Sequence, residues 1–307
     1  MQLLQVHENF ATEDQCLEYL EHMRWPDGVI RCTVCGNDKI SRITRQSKSR
    51  NKRTRIYQCL EPTCKQQFSA TSGTIFHDSH LPLTKWFFAL ALIVDAKKGI
   101  SANQVKRHLG VNYRTAWYLN HRIRKSMEEP NPPKLTGTVE VDETYVGTKS
   151  RRPHHAGRST KDKDIVIGIR QRGGPLRFIK AQDVKSGTLY DIVSKHVAGD
   201  VDRIITDEFP AYNFEFTQFR GKHERIKHKE AYVVGDIHTN TVESAFSLLK
   251  RGIMGSFHKI SLKHLARYLA EFEYRFNRRE LPTIFEETLR RMAGIQPMPY
   301  RGLTGTE

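Results

Sequence analysis

Apolar positions repeat in two different registers along the chain. Thr12-Glu13-Asp14-Gln15 forms a capping-box pattern ahead of Leu17, Leu20 and Met23 at helical spacing, which predicts a short amphipathic helix. Leu81-Pro82-Leu83 introduces Thr84–Ile93, a nearly all-apolar stretch that predicts a buried helix. Ser101 can cap a helix carrying Val105 and Leu109, Gly110-Val111-Asn112 turns the chain, and another helix is predicted from Tyr113 to about Met127. Beyond Glu129-Pro130-Asn131-Pro132-Pro133 the period changes from helical to two. Gly137–Val146 alternates like a strand, with Glu140, Asp142 and Thr144 on one face and Val139, Val141, Glu143 and Tyr145 on the other. Ile165–Arg170 and Leu176–Ala181 are strand candidates joined by the hairpin signal Arg172-Gly173-Gly174-Pro175. Thr188–Val197 reads as a helix and Val201–Thr206 as a short buried strand. Asn240–Arg251 reads as a helix with an apolar stripe of Val242, Ala245, Phe246 and Leu249.

These patterns imply an α/β protein with a cysteine-bearing region over 1–80, a helical region over 81–128 and a linker over 129–136. A strand-and-helix domain follows over 137–295, and a tail over 296–307 is expected to be unstructured. The longest apolar run, Trp86–Val94, is about half the roughly 18–20 residues a membrane-spanning helix needs, and no secretory signal is visible. The expected location is the cytoplasm.

Charge narrows the partner. Fifty Lys and Arg against thirty-four Asp and Glu give a net charge of +16 and a pI near 9.7. A surplus of this size suits a polyanion, DNA or RNA first, although a generally basic soluble protein has the same composition. The helix-turn-helix layout of 101–127 would present Asn112, Tyr113, Arg114 and Asn120 to DNA, with Arg122, Arg124 and Lys125 towards phosphates; a plain three-helix packing unit is the alternative.

Five cysteines in such a chain point to metal rather than disulfides. Cys32 and Cys35 form one pair, Cys59 and Cys64 another, and four thiolates can surround one Zn²⁺ in a closed structural site. Gly36 suits a knuckle turn needing positive φ. Cys16 lies outside both pairs and is assigned to the core. Between the pairs, Lys39, Arg42, Arg45, Lys48, Arg50, Lys52, Arg53 and Arg55 make either a solvated loop or a phosphate-contacting one.

Acidic chemistry belongs to the strand-and-helix region. Asp142 on a strand, Asp207 at the carboxyl end of another and Glu243 on a helix can converge, and clustered carboxylates call for a divalent cation. Lys250 lies two turns beyond Glu243 on the same face.

VEVDETYVG, IITDEFPAY, HTNTVESAFSLLKRGIMGSFH and KHLARYLAEFEYRFNRR resemble the catalytic core of the ISXO2-like insertion-sequence transposases. CTVC and QQFSATSGTIFHDSHLPLTKWFFALALIVDAKKGIS resemble the zinc ribbon and helical amino-terminal part of the same group, so the resemblance covers about residues 10–280. It implies a ribonuclease-H-like core with a DDE triad of Asp142, Asp207 and Glu243, thirty-five residues separating the last two. It further implies Mg²⁺ or Mn²⁺ on those acids, structural Zn²⁺ on Cys32, Cys35, Cys59 and Cys64, and DNA contacts by Lys250 and Arg251. Asn240, one turn before Glu243, is an alternative for the third position; a carboxylate binds a divalent cation better than an amide, which favours Glu243. The implied activity is hydrolysis at transposon ends followed by strand transfer into target DNA. A homodimer or larger assembly is expected on mechanistic grounds, as is a place at the bacterial nucleoid. A zinc-dependent DNA-binding regulator, or a related nuclease that makes no joined product, are the other functions compatible with these residues.

Overall fold

The computed structural model describes residues 1–43, 55–147, 163–214, 217–226, 235–258 and 260–305. They form two compact units: Met1–Ala96 with Ala102–Met127 and Glu280–Glu307, and Lys97–Ser101 with Glu128–Arg279.

The first unit begins with α1 (Leu3–Asn9) and α2 (Glu13–Arg24). The predicted capping box closes α2: Gln15 N–H donates to Thr12 Oγ1 at 3.3 Å, and Thr12 N–H to the Gln15 side chain at 2.9 Å. Cys16, Leu17 and Leu20 are buried, as their spacing requires. A three-stranded antiparallel sheet follows, made of β1 (Ile40–Ile43), β2 (Ile56–Cys59) and β3 (Gln67–Phe68). Arg55 ties β2 to α2 through ion pairs to Asp14 at 2.9 Å, Glu18 at 3.5 Å and Glu21 at 2.7 Å, and Tyr57 Oη donates to Glu21 at 2.7 Å. Its charge is therefore neutralised by α2, which removes it from the expected phosphate-contacting run. Lys39 and Arg42 are exposed; Arg45, Lys48, Arg50, Lys52 and Arg53 lie outside the described residues.

Three helices come next: α3 (Leu83–Asp95), α4 (Ala102–Leu109) and α5 (Tyr113–Ser126). Trp86, Phe87, Leu90 and Ile93 of α3 are buried together with Val105, Leu109, Ala116, Leu119 and Ile123. Asn112 caps α5 by accepting Thr115 N–H on Oδ1 at 2.8 Å.

The second unit is built on β4 (Thr138–Val146), β5 (Asp164–Gln171) and β6 (Leu176–Ala181), then α6 (Ser186–His196), β7 (Arg203–Thr206), β8 (His223–Arg225), α7 (Asn240–Gly252) and α8 (Leu265–Asn277). The sheet order is β6-β5-β4-β7-β8. The first three strands are antiparallel, whereas β7 runs parallel to β4 and β8 parallel to β7. Alternation along β4 separates two cores. Val139 and Val141 join Ile167, Ile169, Leu189, Val193 and Tyr212 on one face; Val146 and Val166 join Val242, Phe246, Leu249 and Leu269 of α7 and α8 on the other.

Gly168 of β5, directly opposite Asp142 in the ladder, allows α7 to approach the sheet closely. A Cβ there would lie 2.6 Å from Phe246 Cζ and 2.8 Å from Val242 Cγ2.

The chain ends with α9 (Ile284–Gly294) and α10 (Tyr300–Thr304), both in the first unit. This differs from the expected domain over 137–295 and unstructured tail over 296–307. Phe285 of α9 meets Phe10 and Phe87 at ring-centroid distances of 6.0 and 6.2 Å. Leu303 is buried, and Tyr118 Oη donates to the Met298 carbonyl. The returning segment thus finishes an apolar surface that α2, α3 and α5 leave open. Among the described residues, no helix is long and apolar enough to cross a membrane.

Candidate zinc knuckle and carboxylate centre

Two tight turns bring four sulfurs together. Cys32 N–H donates to the Asn37 carbonyl at 2.8 Å and Gly36 N–H to the Cys32 carbonyl at 2.9 Å, with Gly36 at φ +76° as the knuckle demands. Cys64 N–H and Lys65 N–H both donate to the Glu61 carbonyl at 3.0 Å, and Asn37 Nδ2 reaches across to Glu61 Oε2 at 2.9 Å. The Sγ atoms of Cys32 and Cys64 are 3.7 Å apart, those of Cys35 and Cys59 3.6 Å, and all four lie within 4.8 Å of one another. Sulfurs about 2.3 Å from a tetrahedral Zn²⁺ stand about 3.8 Å from each other, so the cluster fits that ion. Burial pushes the Cys59 thiol up to about 12. For Cys32 burial acts the same way, but the N–H groups of Cys35 and Val34 aimed at its sulfur outweigh it and bring it down to about 7. Cys16 is buried away from this cluster, as expected.

The second unit gathers carboxylates where the parallel pairing of β4 stops. β7 pairs only with Thr138–Glu140 of β4, so the edge of β4 beyond Glu140 is open on that side, and Asp207 emerges from β7 beside it. Asp142, Glu143 and Asp207 each offer an oxygen within 4.8 Å of the others. Glu143 N–H donates to Asp142 Oδ1 at 2.8 Å, Phe209 N–H to Asp207 Oδ1 at 3.0 Å and Tyr212 Oη to Glu143 Oε2 at 2.8 Å. Burial first, then the charges of Glu143, Asp207 and Glu243, push Asp142 up to about 7. Burial likewise raises Glu143. Crowded acids of this kind favour either a shared proton or a cation, and hard oxygen donors suit a divalent ion.

Glu243 stands on the exposed side of α7, near enough for its charge to act on Asp142 but outside the tight trio; its Oε1 accepts from Thr239 Oγ1 at 2.8 Å. Asn240, Lys250 and Arg251 are also exposed on α7, and Arg251 Nε donates to the Ser247 carbonyl at 3.2 Å.

Glu140, on the Asp142 face of β4 and fully buried, anchors this helix. Its Oε2 accepts Thr241 N–H at 2.9 Å, Thr241 Oγ1 at 2.8 Å and Val242 N–H at 3.0 Å, while Oε1 takes Arg172 Nε at 2.7 Å. A carboxylate at the first turn satisfies orphan N–H groups and complements the helix dipole.

Sequence reasoning missed both Glu140 and Glu143. Alternation placed Glu143 on the face opposite Asp142, yet both carboxylates lie within 4.8 Å of Asp207 where β4 runs beyond its pairing with β7. The adjacent acids Asp142-Glu143, followed far downstream by Asp207 and a buried Tyr212, were the available signal.

Around α5 the expectations divide. Tyr113, 48% exposed, and Arg114 face outward, and Asn112 is exposed with its Oδ1 engaged in the cap. Asn120, Arg122 and Arg124 are instead 1%, 5% and 1% exposed, which withdraws them from an outer surface. The burial follows from packing on both sides of α5, since Arg291 of α9 donates to the Ser126 carbonyl at 2.8 Å.

The strongly basic chain thus unites a four-thiolate cluster that fits Zn²⁺ with a carboxylate centre at a sheet edge. Residues 134–277 match the ISXO2-like transposase domain and residues 11–67 the transposase zinc-ribbon domain. The chain thus carries an ISXO2-like transposase domain preceded by a transposase zinc-ribbon domain. It is 28% identical over 285 residues to a protein in transposable element ISH50 of Halobacterium salinarum, covering 87% of this chain and 92% of the relative. The crystal structure of a pre-cleavage Mos1 transpososome aligns at 11% identity over 65% of this chain and 76% of that one, with a TM-score of 0.26, a superposition too loose to define a shared fold.

Proposed function

We propose that this protein binds the ends of its insertion sequence and catalyses metal-dependent phosphodiester hydrolysis followed by strand transfer. The observation that carries the reading is the Asp142, Glu143 and Asp207 trio inside the segment matching the transposase domain. The sheet order β6-β5-β4-β7-β8, antiparallel through β4 and parallel beyond it, supports a ribonuclease-H-like core. The capped turn between α4 and α5 supports a helix-turn-helix-like module with Asn112, Tyr113 and Arg114 at its exposed start.

Asp142 and Asp207 would hold a divalent cation, Mg²⁺ or Mn²⁺, with Glu243 as the third acid of the site. Such an ion would supply Lewis acidity to activate water and stabilise the leaving oxygen. Lys250 and Arg251, two turns along α7, neutralise the phosphate backbone near the element end. Water adds across the scissile P–O3′ bond, leaving a 3′-hydroxyl and a 5′-phosphate. That hydroxyl then attacks a target phosphate, one P–O bond forming as another breaks. Work on two ends implies at least a dimer and a location on the nucleoid.

Incubation of the purified protein with labelled element ends and Mg²⁺ tests this. Wild type should nick and join, whereas Asp142→Asn, Asp207→Asn and Glu243→Gln should retain end binding and lose cleavage. Full cleavage by one of these variants removes that residue from the site. Cleavage without joined products makes the protein a nuclease instead.

A further inference from the structure

The first unit contains a cavity of about 390 Å³ between α3, α5, the segment before α3 and the segment before α10. Arg122 lines it and is 5% exposed. Its guanidinium lies between two rings, 4.7 Å from the Trp86 centroid and 5.1 Å from that of Tyr118. Its Nε has no hydrogen-bond acceptor, and among the described residues no carboxylate pairs with it. Burial lowers its pKa, yet a guanidinium stays cationic in proteins. A buried cation without a paired anion is costly, which makes this one a receptor for an anion from outside.

The rest of the wall selects among anions. Leu81, Leu119, Met298 and Pro299 are apolar, and Tyr118 is fixed by its bond to the Met298 carbonyl. His77 and His80 also line it and are exposed; His77 Nδ1 accepts Gly73 N–H at 3.3 Å, which leaves His80 as the ring free to face a ligand. The one carboxylate on the lining, Asp78, is 79% exposed and directed to His77 Nε2 at 3.5 Å. Ser79 Oγ is engaged by Trp86 Nε1 at 3.0 Å. A volume in the range of small-molecule sites exceeds what a bare phosphate fills. Guanidinium groups match phosphate oxygens in pairs, and flat apolar walls take the face of a base.

We propose that this cavity binds one nucleotide unit, its phosphate on Arg122 and its base against the Tyr118–Met298–Pro299 wall. The unit comes either from an unpaired stretch of DNA or from a free nucleotide. The strand source rests on the proposed action on DNA, whereas the pocket chemistry does not.

Calorimetric titration of the zinc-loaded full chain with deoxyadenosine monophosphate, inorganic phosphate and a short single-stranded oligonucleotide tests the assignment. Saturable binding of the nucleotide below about 1 mM is expected. It should weaken about tenfold or more in Arg122→Gln, which loses a charge-assisted pair. Because Arg122 is buried and Arg122→Gln can unfold the unit, Met298→Glu provides the second arm: its carboxylate pairs with Arg122 in the ligand's place and should abolish binding in a folded protein. Oligonucleotide binding with the same dependence assigns the strand as source; nucleotide binding alone assigns the free ligand. No binding by wild type, phosphate binding as tight as the nucleotide, or undiminished binding in folded variants overturns the proposal. Asp142→Asn, which leaves this cavity intact, should bind as wild type does. Loss of cleavage with retained nucleotide binding therefore bears on the carboxylate centre, and the converse on the cavity.

Discussion

Gly168→Ala probes the packing that sets Glu243 beside Asp142. The added methyl would stand 2.6 Å from Phe246 Cζ, 2.8 Å from Val242 Cγ2 and 2.9 Å from Phe246 Cε1. Carbon atoms rest at roughly 3.5–4.0 Å, so α7 must retreat from the sheet by about 1 Å or Phe246 must leave its rotamer. Overpacking of this kind costs about 1–3 kcal/mol. For a unit of this size that is a melting temperature lower by roughly 3–10 °C. The same retreat moves Glu243 relative to Asp142, and a 1 Å error in a catalytic arrangement can cost about a hundredfold in rate. Melting and Mg²⁺-dependent cleavage should be measured on Gly168→Ala, Phe246→Leu and the double variant. Phe246→Leu withdraws the ring edge, so the double variant should be more stable and more active than the two single losses predict when added. A Gly168→Ala protein with wild-type melting and cleavage, or strictly additive losses, would falsify the close-approach argument.

The carboxylate trio gives a pH signature. The folded pKa of Asp142, about 7, exceeds its unfolded value, so the magnesium-free protein binds the extra proton when folded and loses stability as pH rises from about 4 to 7, by at most about 4 kcal/mol. Denaturation in magnesium-free buffer at pH 5 and 8 should show this slope in wild type and a smaller one in Asp142→Asn; added Mg²⁺ should stabilise wild type far more than the variant. Equal slopes would show that Asp142 ionises freely. Cys59→Ser should lower zinc content below one equivalent by elemental analysis and loosen the three-stranded sheet; unchanged zinc would refute the four-sulfur site. Glu140→Gln removes the buried charge that faces Arg172 and the first-turn N–H groups of α7, while Arg172 keeps the Asp236 and His238 carbonyls, at a cost of roughly 3 kcal/mol in urea unfolding, with no loss expected if the charge contributes nothing.

Local patterns made much of this molecule legible. The capping box of α2, the alternation of β4, the hairpin signal at 172–175 and the apolar stripe of α7 all depend on neighbours a few residues away, and each stands where its pattern places it. The cysteine pairs were equally readable because each knuckle is a local turn. What escaped depended on distant chain. β8 has only three residues and no pattern of its own. Burial of Asn120, Arg122 and Arg124 requires packing by segments far along the chain, which α5 alone does not announce. Glu143 joins the carboxylate group at a stretch of β4 that β7 leaves unpaired, a feature of strand length that alternation cannot encode. The tail became a helix because Leu303 has a place to go.

The grip of Glu140 on Thr241 and Val242 joins segments 101 and 102 residues apart in sequence. Through it the strand bearing Asp142 and the helix bearing Glu243 behave as one clamped part. Changes of length in the connections between the intervening strands and helices, outside those elements themselves, can then drift across lineages, or be engineered, while the distance between those two acids stays fixed.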